Sequence, residues 1–226
     1  MKEERGKEQI LRRTPINNLY WYQGSLYTLN IIRGKTLHSE KIIKLFGREY
    51  RYWNPYRSKL AALLIKENIP IIIGVNWKIL YLGAGNGTTA SYISDIVAKG
   101  LIYCVEKSRK AYSDLLSVAK KRKNIVPILA DARKPKDYMH IGKVDMLYQD
   151  IAQRDQVDIF IRNMGFLRKE GMGILMVKAR SIDVAEKPSK IYKNVKRALS
   201  AQGLNVVRVV DLSPYQKDHA AVVMHK

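Results

Sequence analysis

Glu106, Asp131, Asp150 and Lys178 each stand just after or at the end of a short apolar run, and His219 stands at the start of one. Ahead of them lies Gly83-Ala84-Gly85-Asn86-Gly87-Thr88-Thr89. Glycines permit a tight strand-to-helix turn and close backbone approach to a ligand, and the N–H groups that open a helix can bind a polar group. The spacing is not that of the dinucleotide motif G-x-G-x-x-G, whose last glycine would fall one residue after Gly87, and no Gly-Lys-Ser/Thr follows to make a phosphate loop. A carboxylate about 20 residues beyond such a turn, here Glu106, can accept both ribose hydroxyls of an adenosine cofactor. A lysine that is desolvated and close to another cation can serve as a general base, which makes Lys178 a candidate acceptor for the proton of a ribose hydroxyl. Each residue alone has a plainer reading as a helix cap, a solvated strand end, a snorkelling lysine or a strand-initiating histidine. Together behind a glycine turn, the acids point to one crevice.

The elements that would carry these residues alternate. Short apolar strands are expected at 78–82, 101–105, 125–129, 144–148, 173–177, 205–211 and 220–224, with helices at 88–98, 109–120, 157–168 and 189–201. That alternation predicts right-handed crossovers and a mainly parallel sheet covered on both faces, whose strand ends share one ligand-binding rim. Residues 212–219 are too few for a helical crossover, so the last strand should run antiparallel and bring His219 to the same rim. A Rossmann-like α/β sheet of seven strands, mostly parallel with one reversed, is the layout of class I methyltransferases, which depend on S-adenosyl-methionine. Before it, residues 18–32 (NLYWYQGSLYTLNII) read as a hairpin turning at Gln23-Gly24-Ser25. A helix is expected over 57–67, where Leu60, Leu63, Leu64 and Glu67 keep helical rhythm. The expected division is therefore a small N-terminal β-rich domain, 1–54, and a larger α/β domain, 55–226.

Lysine and arginine outnumber aspartate and glutamate 41 to 20, a formal net charge of +21. Such an excess, without the matching glutamate of a merely lysine-rich surface, favours a polyanion, with nucleic acid the first candidate. One cysteine, Cys104, excludes an internal disulfide and a cysteine-based zinc site. Residues 1–13 are charged, and apolar runs such as 69–75 fall far short of the roughly 20 residues that span a bilayer. An intracellular, non-membrane protein is expected.

Six stretches then carry a resemblance to archaeal fibrillarin: 49–62 (EYRYWNPYRSKLAA), 81–95 (YLGAGNGTTASYISD), 131–135 (DARKP), 149–153 (QDIAQ), 178–183 (KARSID) and 211–220 (DLSPYQKDHA). The resemblance covers nearly the whole chain. It implies a small N-terminal β domain on a class I methyltransferase domain, S-adenosyl-L-methionine as cofactor, and methylation of the ribose 2′-oxygen of ribosomal and possibly transfer RNA. It also implies a lysine, aspartate, lysine, histidine set, matched by Lys59, Asp150, Lys178 and His219. Cofactor contacts would come from Gly83, Ala84 and Gly85, Thr88 and Thr89, Glu106 with Lys107, Asp131 with Ala132, and Asp150, Ile151, Ala152 and Gln153. Many relatives carry Ala or Ser and then Ser at the positions of Gly85 and Asn86, and an apolar or aromatic residue at that of Lys107.

The implied partners are a box C/D guide RNA with its target RNA, a Nop-domain scaffold protein and a kink-turn-binding ribosomal-type protein, in a cytoplasmic ribonucleoprotein particle. Two other readings compete. A base or protein methyltransferase is disfavoured by Asp150-Ile151-Ala152-Gln153, where base N-methylation sites often carry an Asn/Asp-Pro-Pro-Tyr/Phe type motif. An inactive RNA-binding scaffold would also suit +21, but would gain nothing from an acidic crevice in a basic surface.

Overall fold

A computed structural model describes residues 10–66 and 71–226. The charged start at 1–9, Glu67 of the expected helix and Ile69 of the apolar run lie outside the described residues. The N-terminal part is a five-stranded antiparallel sheet of β1 (Arg12–Arg13), β2 (Leu19–Tyr22), β3 (Ser25–Leu29), β4 (Ile42–Leu45) and β5 (Arg48–Tyr52), in the order β1-β2-β3-β5-β4. The expected hairpin is present, with Gln23 and Gly24 both at positive φ between the paired Tyr22 and Ser25. A second two-residue turn of the same kind joins β4 to β5 through Phe46 and Gly47, also both at positive φ.

One face of this sheet carries a tyrosine cluster of Tyr20, Tyr22, Tyr27 and Tyr50. The other side is continuous with the main core, since Leu19, Leu26 and Trp53 pack in one cluster with Leu60, Leu63, Tyr92 and Ile93. An ionic knot also ties the sheet to the body. The fully buried Asp95 takes Arg51 at 2.7 Å on one carboxylate oxygen and Arg122 at 2.6 Å on the other. It accepts further bonds from the Thr28 hydroxyl and the Ile31 N–H at 2.7 and 3.3 Å. Arg51 reaches on to Glu40 at 2.6 Å. Burial alone would raise the Glu40 carboxyl, but the Arg51 charge and backbone N–H bonds overcome it and hold it at about 2.

The remaining elements are α1 (Lys59–Lys66), β6 (Lys78–Leu82), α2 (Thr88–Ile96), β7 (Leu101–Glu106), α3 (Arg109–Lys121), β8 (Ile125–Leu129), β9 (Val144–Gln149), α4 (Gln156–Asn163), β10 (Leu167–Lys178), α5 (Ala179–Ile182), α6 (Pro188–Ala201), β11 (Asn205–Asp211) and β12 (His219–His225). Seven strands form one sheet in the order β11-β12-β10-β9-β6-β7-β8. Pairing is parallel from β8 across to β10, while β12 runs antiparallel to both β10 and β11. This is the expected class I methyltransferase layout. Apolar clusters cover both sheet faces, as a parallel sheet requires.

The helix expected over 157–168 is overextended: α4 stops at Asn163, Met164–Phe166 tighten into a 3₁₀ turn, and Leu167 already pairs with Val144 as the first residue of β10. A short apolar run fits either period and an isolated glycine such as Gly165 is tolerated within a helical pattern, so periodicity alone could not place this boundary. No helix of the described residues is long and apolar enough to cross a membrane.

Candidate active site

The parallel strands deliver their ends to one rim. There Gly83, Gly85, Glu106, Lys107, Asp131, Ala132, Asp150, Ile151, Ala152, Gln153 and Lys178 line a cavity of about 310 Å³, with Val105, Ala130 and Ile159 as its apolar wall. Gly83 sits at φ 77°, and a Cβ there would meet Ile151 Cγ1 at 2.7 Å and the Asp150 carbonyl oxygen at 2.8 Å. Only glycine lets the turn lie this close to the strand end beside it. The Gly85 N–H donates to Glu106 Oε2 at 2.9 Å and the Ser108 N–H to Oε1 at 2.8 Å. The carboxylate is thereby oriented, and each oxygen keeps a lone pair for a hydroxyl donor. Gln153 Oε1 is buried without a hydrogen-bond partner. A buried orphan acceptor on a cavity wall suits a ligand donor such as an amino group.

At the inner end of the cavity, Asp150 lies between two lysines. Its Oδ1 is 3.3 Å from Lys59 Nζ and 3.0 Å from Lys178 Nζ, with the three side chains 13 to 17% exposed. Lys59 arrives from the first position of α1, where the Ser58 hydroxyl accepts from the Ala61 N–H at 3.4 Å and caps the helix. The same hydroxyl lies 3.0 Å from Thr89 Oγ1, which fixes the start of α1 against the start of α2. His219 faces Lys178 across the β10–β12 ladder as its register partner. Its Nδ1 is 2.6 Å from the Lys217 carbonyl oxygen. A carbonyl only accepts, so Nδ1 carries the proton, and in the neutral ring Nε2 is left as an acceptor. Burial, with Lys59 and Lys178 nearby, holds the imidazole below the ordinary histidine value of 6.5 and therefore neutral at pH 7.

Not every expected residue reaches the cavity. Ala84 is buried, Thr89 is buried and turned to Ser58, and Thr88 bonds to Asn86 Oδ1 at 2.8 Å; none of the three is among the lining residues. Lys59 and His219 stand beyond the lining as well, joined to it through Asp150 and Lys178. One residue went unnoticed in the sequence. The fully buried Gln156 accepts from the Lys178 N–H at 2.9 Å and donates to the Lys178 and Gln153 carbonyl oxygens at 3.3 and 2.8 Å. Its amide clamps the backbone of Lys178 to the loop after β9. A glutamine three positions beyond Gln153, immediately before the expected helix 157–168, was the available signal.

A family model described as fibrillarin matches residues 11–226. The chain belongs to the fibrillarin family. A fibrillarin-like rRNA/tRNA 2′-O-methyltransferase from Methanocaldococcus jannaschii is 46% identical over 198 residues, covering 87% of this chain and 86% of the relative. Among fibrillarins of known structure, one from Aeropyrum pernix in complex with natively bound S-adenosyl-L-methionine superposes with a TM-score of 0.83 at 41% identity, over 95% of this chain and 97% of that one. A fibrillarin solved in complex with Nop5p gives 0.85 at 39% identity, over 92 and 97% of the two chains. The two-sheet architecture described above is therefore the fibrillarin fold along almost its whole length.

Proposed function

We propose that the chain transfers a methyl group from S-adenosyl-L-methionine to the 2′-oxygen of a ribose in guide-paired RNA, as the catalytic subunit of a box C/D ribonucleoprotein. The observation that carries this reading is the Lys59–Asp150–Lys178 cluster at the inner end of the rim cavity, with neutral His219 across from Lys178. The cavity suits the cofactor: Glu106 has acceptor capacity for ribose hydroxyls, Gln153 Oε1 lacks a donor, and the Gly83 turn admits close approach. When bound, S-adenosyl-L-methionine supplies a reactive sulfonium methyl. The protein's part is then positioning and proton management.

In this reading Gly83, Gly85, Glu106, Lys107, Asp131, Ala132 and residues 150–153 hold the cofactor. Lys178 Nζ, after releasing its own proton to solvent, takes the 2′-hydroxyl proton as a neutral amine, and Asp150 holds that nitrogen and Lys59 on one carboxylate. His219 Nε2 accepts a hydrogen bond that keeps the amine oriented, and Gln156 fixes the backbone beneath it. Ala84, Thr88 and Thr89 act behind the wall, shaping the turn rather than touching the ligand. Residues 1–54 form the small appended domain and 55–226 the methyltransferase domain. A Nop-domain scaffold and a kink-turn-binding protein would present the guide–target duplex, within a cytoplasmic particle.

The test is methyl transfer from radiolabelled cofactor to guide-paired RNA in the reconstituted particle, followed by digestion. Label on one 2′-oxygen that requires the guide is the expected result. Label on a base or on protein overturns the substrate assignment, and cofactor binding without any transfer in the complete particle overturns the catalytic one.

The histidine gives a pH signature. The unfolded chain binds a proton at the ordinary value near 6.5, whereas the folded site takes it only at lower pH, so acidification below about 6.5 costs stability before Nε2 turns from acceptor to donor at the lower folded value. The His219-dependent fall in transfer should therefore set in below the ordinary histidine range. In His219→Gln this limb should disappear from the pH–rate profile; an unchanged limb would remove His219 from the proton chemistry.

A further inference from the structure

Two aromatic rings stand beside the charged cluster and have no part in the chemistry above. Tyr56 is 62% exposed and lies three residues before Lys59, while Tyr215 lies four residues before His219. Three or four chain steps span at most about 14 Å, so the backbones of Tyr56 and Tyr215 lie within that distance of those of Lys59 and His219. They meet edge to face, centroids 5.2 Å apart and planes at 72°. The two segments are also fastened together: Gln216 Nε2 donates to the Pro55 carbonyl oxygen at 2.8 Å, and the Lys66 amine donates to the Ser213 carbonyl oxygen. The Tyr56 N–H donates to Asn54 Oδ1 at 2.9 Å, which sets the turn that carries the ring. Exposed Arg57 and Lys217 flank the pair.

A large exposed ring braced by a second ring across two fastened segments, each with an exposed cation within two residues of its ring in the chain, has the chemistry of a nucleic-acid contact rather than of a core residue. Resting on the ribose-methylation reading, we infer that Tyr56, braced by Tyr215, enters the minor groove of the guide–target RNA duplex and registers the target ribose over the site. In an A-form helix the 2′-hydroxyls line a wide, shallow minor groove. Lys59 and Lys178 are recessed, each 17% exposed, so the groove must be held at a fixed height and phase above them. The ring face packs on a sugar next to the target, and the phenol, both donor and acceptor, pairs with that sugar's 2′-hydroxyl. Arg57 and Lys217 reach the flanking phosphates, which position without reading sequence. Guide pairing keeps the bases stacked on one another, so the ring meets the sugar edge and not a base face.

The experiment is single-turnover methyl transfer in the reconstituted particle with wild type, Tyr56→Ala and Tyr56→Phe. It uses target RNAs that carry a single 2′-deoxy nucleotide on either side of the modified one. Tyr56→Ala should raise the target-RNA concentration for half-maximal rate about tenfold, the scale of one hydrogen bond with its apolar contact, while cofactor affinity and melting temperature stay at wild-type values. Tyr56→Phe should lose less than Tyr56→Ala on the all-ribose target. One of the 2′-deoxy targets should weaken wild type but leave Tyr56→Phe unaffected. The inference fails if Tyr56→Ala matches wild type in half-saturation, if its loss is accompanied by a lower melting temperature, or if the deoxy effects are the same in all three proteins. Absence of 2′-O-methylation by wild type is the separate result that would instead overturn the ribose-methylation reading.

Discussion

Replacing Lys178 by alanine is expected to lower the single-turnover rate of methyl transfer by about 10³-fold, within the range for loss of a positioned general base, and to leave cofactor affinity within a few-fold of wild type. Lys178 enters the cavity wall from the end of β10 and meets Asp150 at 3.0 Å, but Asp150 keeps Lys59 when the lysine is removed, so no buried charge is stranded. The fold should therefore survive. Lys178→Arg separates two roles for the residue. Arginine places a permanent positive charge beside Asp150 and does not give up its proton at working pH, so it cannot act as the acceptor. An inactive arginine variant with intact cofactor binding supports proton acceptance, whereas recovery by arginine would reduce Lys178 to an electrostatic support. Wild-type turnover in the alanine variant would remove it from the mechanism.

The second large effect is on stability. Asp95→Ala should cost about 3–5 kcal/mol, because it leaves the buried guanidiniums of Arg51 and Arg122 facing each other without their shared counter-charge. For a chain of this size that is a fall in melting temperature of roughly 6–20 °C. Asp95→Asn keeps the shape and one acceptor for the Thr28 hydroxyl but not the charge, and should fall between the two. Thermal denaturation followed by circular dichroism reads both variants. A shift of under about 2 °C in the alanine variant would mean that the knot contributes little net stability.

The rim and the knot differ in how well the sequence discloses them. Glu106, Asp131, Asp150 and Lys178 were legible because strand ends in a parallel sheet converge by rule, so a residue at the end of an apolar run has a known destination. His219 was legible for the same reason, once the eight residues 212–219 proved too few for a crossover. Lys59 was not readable by such rules. It meets Asp150 across 91 positions of chain, a tertiary contact that no local pattern announces, and only the family resemblance singled it out. Asp95 was hidden more deeply: its arginine partners lie 44 and 27 positions away, and an acid inside a helix reads as a solvated side chain. The hairpin at Gln23-Gly24 announced itself, but its counterpart at Phe46-Gly47 did not. A bulky aromatic is a poor occupant of positive φ, and Phe46 is 82% exposed with nothing in the pattern to mark it.

The strand order β11-β12-β10 has a consequence for the history of each molecule. Synthesis runs from the N-terminus, so β12 leaves the ribosome after the other strands of this sheet, although in space it is wedged between two of them. Until it arrives, β11 has no neighbour in the sheet, and β10 is an open edge beside a finished parallel core. The glycine turn, Asp150 and Lys178 are all made earlier, but the histidine opposite Lys178 is the first residue of that late strand. Completion of the sheet and completion of the charged cluster are thus one event. A nascent chain stalled before residue 219 would already carry every residue that lines the cofactor cavity but lack the histidine opposite Lys178, and competence would switch on only as β12 inserts.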